Sequence, residues 1–450
     1  MTTDDRVGDE LSDFADLMRT QPDFRDDAPP ADPEGRRRRA RRVQLVVGIV
    51  ALLVVGAPAG YAAWALNAPL AAPEAEYVAP SVPVVEPAEI VFPAEGDTAL
   101  SISGGDAYLD AGASGIPEHS GTDEQRSVAS IAKLVTALVV LDAFPLADAD
   151  DPGPTITFSR ADHDLYDQYY VRGATVAAMP TGSSMSLHDA LATMLIPSAS
   201  NYADAVSTWA YGSRSAFLDA ARVWLAAHGL TRTNIVDPTG LDPGNTSTPS
   251  DLLRLGTLAA ADPTIARIAA TPRLWLEGPG SMVNTNSLLG AHGVTGLKTG
   301  NLGPGTFSLL YTASLSVGAD EPLSVTGIML GGMSRAAVDE GVGRLLESIR
   351  DGFHNVPVAT RGQQVGTYST PWGSEARAVV ARDARIFTWS DTPISVAMDT
   401  TTPATYTDGD VVGTLTWTAG ASTATADIVI EGAIAPPDEW WRLTHPDELG

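Results

Sequence analysis

The chain has 450 residues, 44% of them hydrophobic, enough for two or three domains and at least one large core, which argues against wholesale disorder. Its 55 Asp+Glu against 28 Lys+Arg argue against a nucleic-acid partner, because phosphate neutralisation needs clustered basic residues on the folded part. The absence of cysteine excludes disulfides, thiolate nucleophiles and cysteine-based zinc sites. The seven histidines are dispersed without ligand spacing, so no metal and no cofactor is assigned.

Residues 1–42 are polar and lack a hydrophobic period; they read as a disordered cytoplasmic tail ending in RRRRARR at 36–42. Val43 to Leu66 follow, 24 residues without a charge. As a helix they would extend ~36 Å, enough for a hydrocarbon core of ~30 Å. The arginines place the N-terminal side in the cytoplasm and everything after Leu66 outside the cell. Ala63-Trp64-Ala65 has the form of a signal-peptidase site, but the long polar region before it and the length of the apolar run favour an uncleaved transmembrane signal anchor. Residues 67–97 are rich in Pro, Ala and Glu and read as an extended spacer holding the rest off the membrane.

From 98 to 353 the pattern is that of an α/β domain. TALSISGGDAYLDAG predicts a strand hairpin around Gly104-Gly105, and SIAKLVTALVVLDAF an apolar helix ended by Pro145. LHDALATMLI has helical spacing with Pro197 after it, and SAFLDAARVWLAAHGL ends on a C-terminal glycine. TFSLLYTASLSV and LSVTGIMLGG predict strands, and SRAAVDEGVGRLLESIRDGF a closing helix. Residues 354–431 are Thr/Val-rich short runs separated by Gly, Asp and Pro, the pattern of a small all-β domain. The tail 432–450 carries Trp440 and Trp441, which predicts docking on a domain surface. The acidic loop ADADDPGPT lacks the glycine and terminal glutamate of a calcium loop and reads as solvated surface.

The chain contains only two lysines, Lys133 and Lys298. An ammonium can lose its proton when buried and act as a base, whereas a guanidinium stays protonated. Ser130 and Lys133 stand three apart at a helix start, on one face, where hydroxyl and amine come within hydrogen-bonding reach. The surrounding apolar residues would desolvate Lys133 and lower its pKa, and the helix N-terminus favours a developing oxyanion. Lys298, Thr299 and Gly300 combine a cation, a hydroxyl and a close-approach backbone, a receptor for a substrate carboxylate. Ser-x-x-Lys followed at a distance by Ser-x-Asn and Lys-Thr-Gly is the signature of the penicillin-recognising serine enzymes. The middle word falls in MLIPSASNYADA: Ser198 and Ala199 fit, the third place is Ser200, and Asn201 is one residue late. Either serine substitutes for asparagine there, or a local shift lets Asn201 enter the site.

With ASIAKLVTA, LATMLIPSASNYADA, HGLTRTNIVDPTGLDPGNTSTPSDLLRLG, VNTNSLLG and GVTGLKTG in this order, the chain resembles the serine-type D-alanyl-D-alanine carboxypeptidases, the low-molecular-mass penicillin-binding proteins, over residues 98–350. The resemblance implies an α/β (α+β) penicillin-binding, β-lactamase-like transpeptidase fold. It also implies an acyl-enzyme on Ser130 with Lys133 as base, and Ser198 relaying a proton to the leaving D-alanine. Lys298 and Thr299 would hold the terminal carboxylate, Ser200 or Asn201 would face the substrate peptide, and backbone N–H groups of Ser130 and Asn301 would form the oxyanion hole. The implied partners are a stem peptide ending in D-Ala-D-Ala and β-lactams as covalent inhibitors. Two alternatives stand beside it. A class A β-lactamase needs a glutamate for deacylation, and Glu277, the only one between Asn201 and Lys298, lacks the expected surroundings. An inactive, membrane-anchored wall-binding protein would retain the fold without the chemistry, and Ser200 is its support.

Overall fold

The computed structural model describes residues 33–109 and 112–450, and the chain divides into two compact units. Residues 1–32, most of the expected tail, lie outside the described residues.

The smaller unit gathers the N-terminal helix, residues 369–374 and residues 434–450. The helix runs Pro33–Asn67, so the arginine block 36–42 belongs to it rather than to a disordered tail. Arg and Ala are strong helix formers, and Glu34 sits in the first turn, where the helix dipole favours an acid. It is the one helix among the described residues long and apolar enough to cross a membrane. The C-terminal tail forms a short helix, Glu439–Thr444, capped by Asp438, which accepts from the Trp441 N–H. Of the two tail tryptophans, Trp441 packs and Trp440 is exposed.

The larger unit is built on a five-stranded sheet in the spatial order Val294–Gly300, Phe307–Leu315, Leu323–Gly332, Asp97–Ser103, His119–Ser120, all neighbours antiparallel. Its central strands read as continuous apolar runs because both faces are covered. Successive side chains alternate in direction, so Leu310 and Ile328 pack among the helices Ala132–Ala143, Leu187–Leu195, Ser200–Tyr211, Arg214–Ala227 and Pro249–Ala261. Leu309, Tyr311 and Met329 point the other way, onto Val338, Val342 and Leu345 of the closing helix Arg335–Asp351.

The hairpin expected at Gly104-Gly105 does not form. Gly104 turns in the left-handed region, and Asp106–Leu109 makes one helical turn instead. Tyr108 meets the rings of Phe353 and Phe387 edge-on, an aromatic contact that a returning strand would forgo.

From Phe353 to Glu431 the chain is all-β: Phe353–Ala359 pairs with Ala384–Trp389, and a larger sheet holds Gln364–Ser369, Glu375–Val380, Ser422–Glu431, Val411–Ala419 and Ser395–Thr400 in that order. Residues 75–96, expected to be a free spacer, lie on this unit. The N–H of Ala88 donates to Ser390 Oγ at 2.9 Å, that of Val91 to Ser348 Oγ at 3.0 Å, and Ile90 and Phe92 pack against the core. Proline bars helix here but not burial, and the apolar residues between the prolines have a face to cover.

Candidate active site

Ser130 sits in a single 3-10 turn, Ala129–Ile131, that runs directly into helix Ala132–Ala143. Residues Ala132 to Leu141 of that helix are all buried, so Lys133 on its first turn is carried into the core with them. Its Nζ donates to Ser130 Oγ at 2.9 Å and to the Thr239 carbonyl at 2.7 Å. Burial pushes the Lys133 ammonium down to about 7, and the negative charge of Asp237 works against that fall.

The Thr239 carbonyl is aimed by the loop 237–245. Asp237 accepts from the Thr239 N–H at 2.6 Å and hydroxyl at 2.5 Å, the Gly240 and Asp242 N–H groups at 2.8 Å, and the Asn245 amide at 2.9 Å. Burial works to raise the Asp237 pKa, but these hydrogen bonds outweigh it and hold the carboxyl below its usual range. The loop packs so close that a Cβ on Gly240, which has φ +79°, would collide with the Ala129 carbonyl.

From the other side comes strand Val294–Gly300. A Cβ on Gly300 would stand 2.6 Å from the Val128 carbonyl oxygen, so only glycine lets this strand lie against the nucleophile turn. Thr299 shares a hydroxyl hydrogen bond of 2.7 Å with Thr285. Lys298 is buried behind it, its Nζ 3.3 Å from the Thr299 carbonyl oxygen. Burial, then the positive charges of Lys133 and Arg335, push Lys298 well below the ordinary lysine range.

A cavity of about 400 Å³ opens between these elements, lined by Ser130, Ser198, Ser200, Thr285, Thr299, Gly300, Asn301 and Arg335 among others. Ser198 has a left-handed backbone, φ 71°, and its buried hydroxyl oxygen has no hydrogen-bond partner among the described residues. Ser200 opens helix Ser200–Tyr211, with its N–H donating to the Thr175 carbonyl at 2.8 Å, and faces the cavity.

Asn201 does not enter the site, which corrects the second of the two readings of SASN. One helical step, ~100°, separates it from Ser200 and turns it inward. There its amide accepts from the Ala177 N–H at 3.1 Å and donates to the Ala177 carbonyl at 2.8 Å, a two-ended structural bond. Asn301 lines the cavity while its side chain accepts from the Gly303 N–H at 2.9 Å.

Four residues were not singled out by sequence reasoning: Asp237, Thr239, Thr285 and Arg335. Arg335 begins the closing helix, donates to the Ser308 carbonyl at 3.1 Å and lies 5.7 Å from the centre of the Phe307 ring. Nothing in the sequence marks it among so many arginines. Thr239 and Thr285 lie within the quoted words DPTGLD and VNTNSLLG, which could have pointed to them. Among the described residues no cluster of three or more His, Asp or Glu side chains is placed to hold a metal ion.

The fold, with a Ser–Lys pair, a second serine and a cationic strand around one cavity, defines the penicillin-recognising class of serine enzymes. Residues 107–318 match the family model described as D-alanyl-D-alanine carboxypeptidase. Over those residues the chain is similar to this family of serine hydrolases, the low-molecular-mass penicillin-binding proteins. Among solved structures it is similar to penicillin binding protein 6B from Escherichia coli, with a TM-score of 0.50 and 20% identity over 79% of this chain and 99% of that one. It is also similar to penicillin binding protein 5 from Haemophilus influenzae, with a TM-score of 0.49 and 16% identity over 77% and 98% of the two chains. The Streptomyces K15 DD-transpeptidase gives a TM-score of 0.45 and 21% identity over 60% and 98%. No curated protein sequence matches the chain.

Proposed function

We propose that the protein removes the terminal D-alanine of peptidoglycan stem peptides through an acyl-enzyme on Ser130. The observation that carries this assignment is the buried Lys133 amine, 2.9 Å from Ser130 Oγ and with its pKa lowered to about 7. Neutral Lys133 takes the hydroxyl proton as Ser130 attacks the carbonyl between the two terminal D-alanines. The backbone N–H groups of Ser130 and Asn301 receive the oxyanion, at the start of the helix and the end of the strand. Ser198, with its unpartnered hydroxyl in the cavity, passes the proton from Lys133 to the departing amine. Lys298, Thr299 and Arg335 form the cationic end that holds the terminal carboxylate. Neutral Lys133 then takes a proton from a water that attacks the ester and delivers it to the departing Ser130 oxygen. Ser200 takes the place where the motif has asparagine and offers one hydroxyl to the substrate peptide.

The helix Pro33–Asn67 crosses the cell membrane once, with the arginines 36–42 in the cytoplasm and the catalytic domain outside. The test is release of D-alanine from an N-acylated tripeptide ending in D-Ala-D-Ala. Wild type releases it, and Ser130→Ala and Lys133→Ala do not. Absence of release by wild type, with no penicillin adduct, would favour the inactive wall-binding reading, for which Ser200 is the observation.

A further inference from the structure

One wall of the cavity is the turn that follows helix Arg160–Tyr170 and carries Gly173, Ala174 and Thr175. The helix closes in a Schellman-type turn. The Ala174 N–H donates to the Tyr169 carbonyl at 3.1 Å and the Gly173 N–H to the Tyr170 carbonyl at 2.9 Å, with Gly173 left-handed at φ 70°. This turn is tied to the helix that opens with Ser200. The Thr175 carbonyl accepts from the Ser200 N–H at 2.8 Å, and the Tyr169 hydroxyl donates to Asp204 Oδ2 at 2.8 Å, about one helical turn after Ser200. Tyr169 is buried, and Arg214 closes on the same pair, donating to Asp204 Oδ2 at 2.5 Å and to the Tyr169 oxygen at 2.9 Å. The backbone from 169 to 175 is thereby held in place beside the nucleophile.

Arg172 stands on this turn, exposed and next in sequence to Gly173. Its guanidinium carbon lies 5.5 Å from the centre of the Tyr169 ring, and it forms no hydrogen bond or ion pair with any described residue. Asp204, the carboxylate bonded to the hydroxyl of that ring, is already taken by Arg214. A guanidinium resting on an aromatic face keeps its N–H donors at its edge, free for a second partner. In a chain of formal net charge −27, an unpaired cation fixed at the rim of a site is a receptor for an anion that arrives from outside.

Lys298, Thr299 and Arg335 take the terminal carboxylate, so the acyl half of the substrate leaves Ser130 on the side of Ser200, along the turn 173–175. Each residue of extended chain beyond the attacked carbonyl spans ~3.5 Å. The side chain of the third residue of the stem peptide, and the free carboxyl of the γ-linked glutamate at the second, both fall within reach of an arginine on this turn. From this geometry we propose that Arg172 is a specificity-determining residue that pairs with a carboxylate on the acyl side of the scissile bond, so that the enzyme prefers acidic stem peptides to amidated ones. The proposal rests on the reading that this site cleaves such peptides. A guanidinium meets a carboxylate through two parallel N–H···O bonds, a match that an uncharged carboxamide with one acceptor oxygen cannot make.

The test compares D-alanine release by the full chain from four pentapeptides, L-Ala-γ-D-Glu-diaminopimelyl-D-Ala-D-Ala. Both acyl-side carboxyls are free in one, the glutamate or the diaminopimelate carboxyl is amidated in the next two, and both are amidated in the last. At low ionic strength kcat/KM is expected to be about tenfold higher for the free peptide than for the doubly amidated one, chiefly through KM, and the ratio shrinks as salt is added. The single amide that carries the loss identifies which carboxylate Arg172 holds. In Arg172→Gln the ratio falls to about one, Arg172→Glu inverts it, and Arg172→Lys retains part of it. Arg222→Gln, at an exposed arginine paired with Asp219, keeps the wild-type ratio. A wild-type ratio of one, or a ratio unchanged in Arg172→Gln, overturns the assignment of Arg172 and leaves the hydrolytic reading intact. If the wild type releases D-alanine from none of the four, the hydrolytic reading fails and the assignment falls with it.

Discussion

The lowered pKa of Lys133 makes the acylation rate a titration curve. With a pKa of about 7, the amine is neutral in about one molecule in eleven at pH 6 and in about ten in eleven at pH 8. If the neutral amine takes the Ser130 proton, the second-order rate constant for acylation by a penicillin rises about tenfold between these values and levels off above pH 8. An unperturbed lysine, with a pKa near ~10.4, would still be rising tenfold per pH unit there. The alkaline side is set by Lys298, which must carry a proton to hold a carboxylate. Burial and its two cationic neighbours push it down, so the rate falls again at a pH below the ordinary lysine range. The assay is a time course of fluorescent-penicillin labelling from pH 5.5 to 9.5 at constant ionic strength. Lys133→Arg supplies the control: it keeps a cation at the position, cannot serve as base, and should slow acylation by ~10²–10⁴-fold. A flat profile between pH 6 and 8, or a Lys133→Arg variant that acylates at the wild-type rate, would refute the assignment of Lys133 as base.

The remaining predictions separate chemistry from scaffold. Gly300→Ala drives a methyl group into the Val128 carbonyl and displaces the nucleophile turn, so acylation falls by ~10²-fold or more while circular dichroism stays that of the native fold. Arg335→Gln removes a charged hydrogen bond worth about 1.5–3 kcal/mol, raising KM about 10- to 150-fold for a peptide with a free terminal carboxylate and sparing the corresponding amide. Asn201→Ala strips both partners from Ala177, costing about 1–3 kcal/mol for each buried group left unpaired, so the Tm falls by several degrees. Acylation at 20 °C then stays within about twofold of wild type; loss of acylation without loss of Tm would mean that Asn201 enters the site after all.

What could be read from the sequence is what the chemistry forces. A base that must shed its proton has to be lysine, and two lysines in a chain otherwise supplied with arginine mark Ser130-x-x-Lys133 and Lys298-Thr-Gly. The buried strands and helices were legible because Leu309 to Leu315 and Leu187 to Leu195 carry their periods without interruption. The register of SASN was not. Whether Ser200 or Asn201 faces the cavity depends on the left-handed turn at Ser198, and serine has no marked preference for that conformation. Arg335 was hidden because its role arises where the strand Leu323–Gly332 delivers the closing helix to the cavity rim, a long-range event with no local pattern. The segment 75–96 misled for a related reason: proline content describes what the backbone cannot do locally and is silent on what its apolar residues can cover.

The central claim is that Ser130 is the nucleophile, and the most direct measurement is intact-mass analysis of the protein after incubation with a penicillin, followed by mapping of the modified peptide. One adduct per chain is expected, on the peptide containing Ser130 and absent from Ser130→Ala. An adduct on Ser198 or Ser200, or one that persists in Ser130→Ala, would contradict the account.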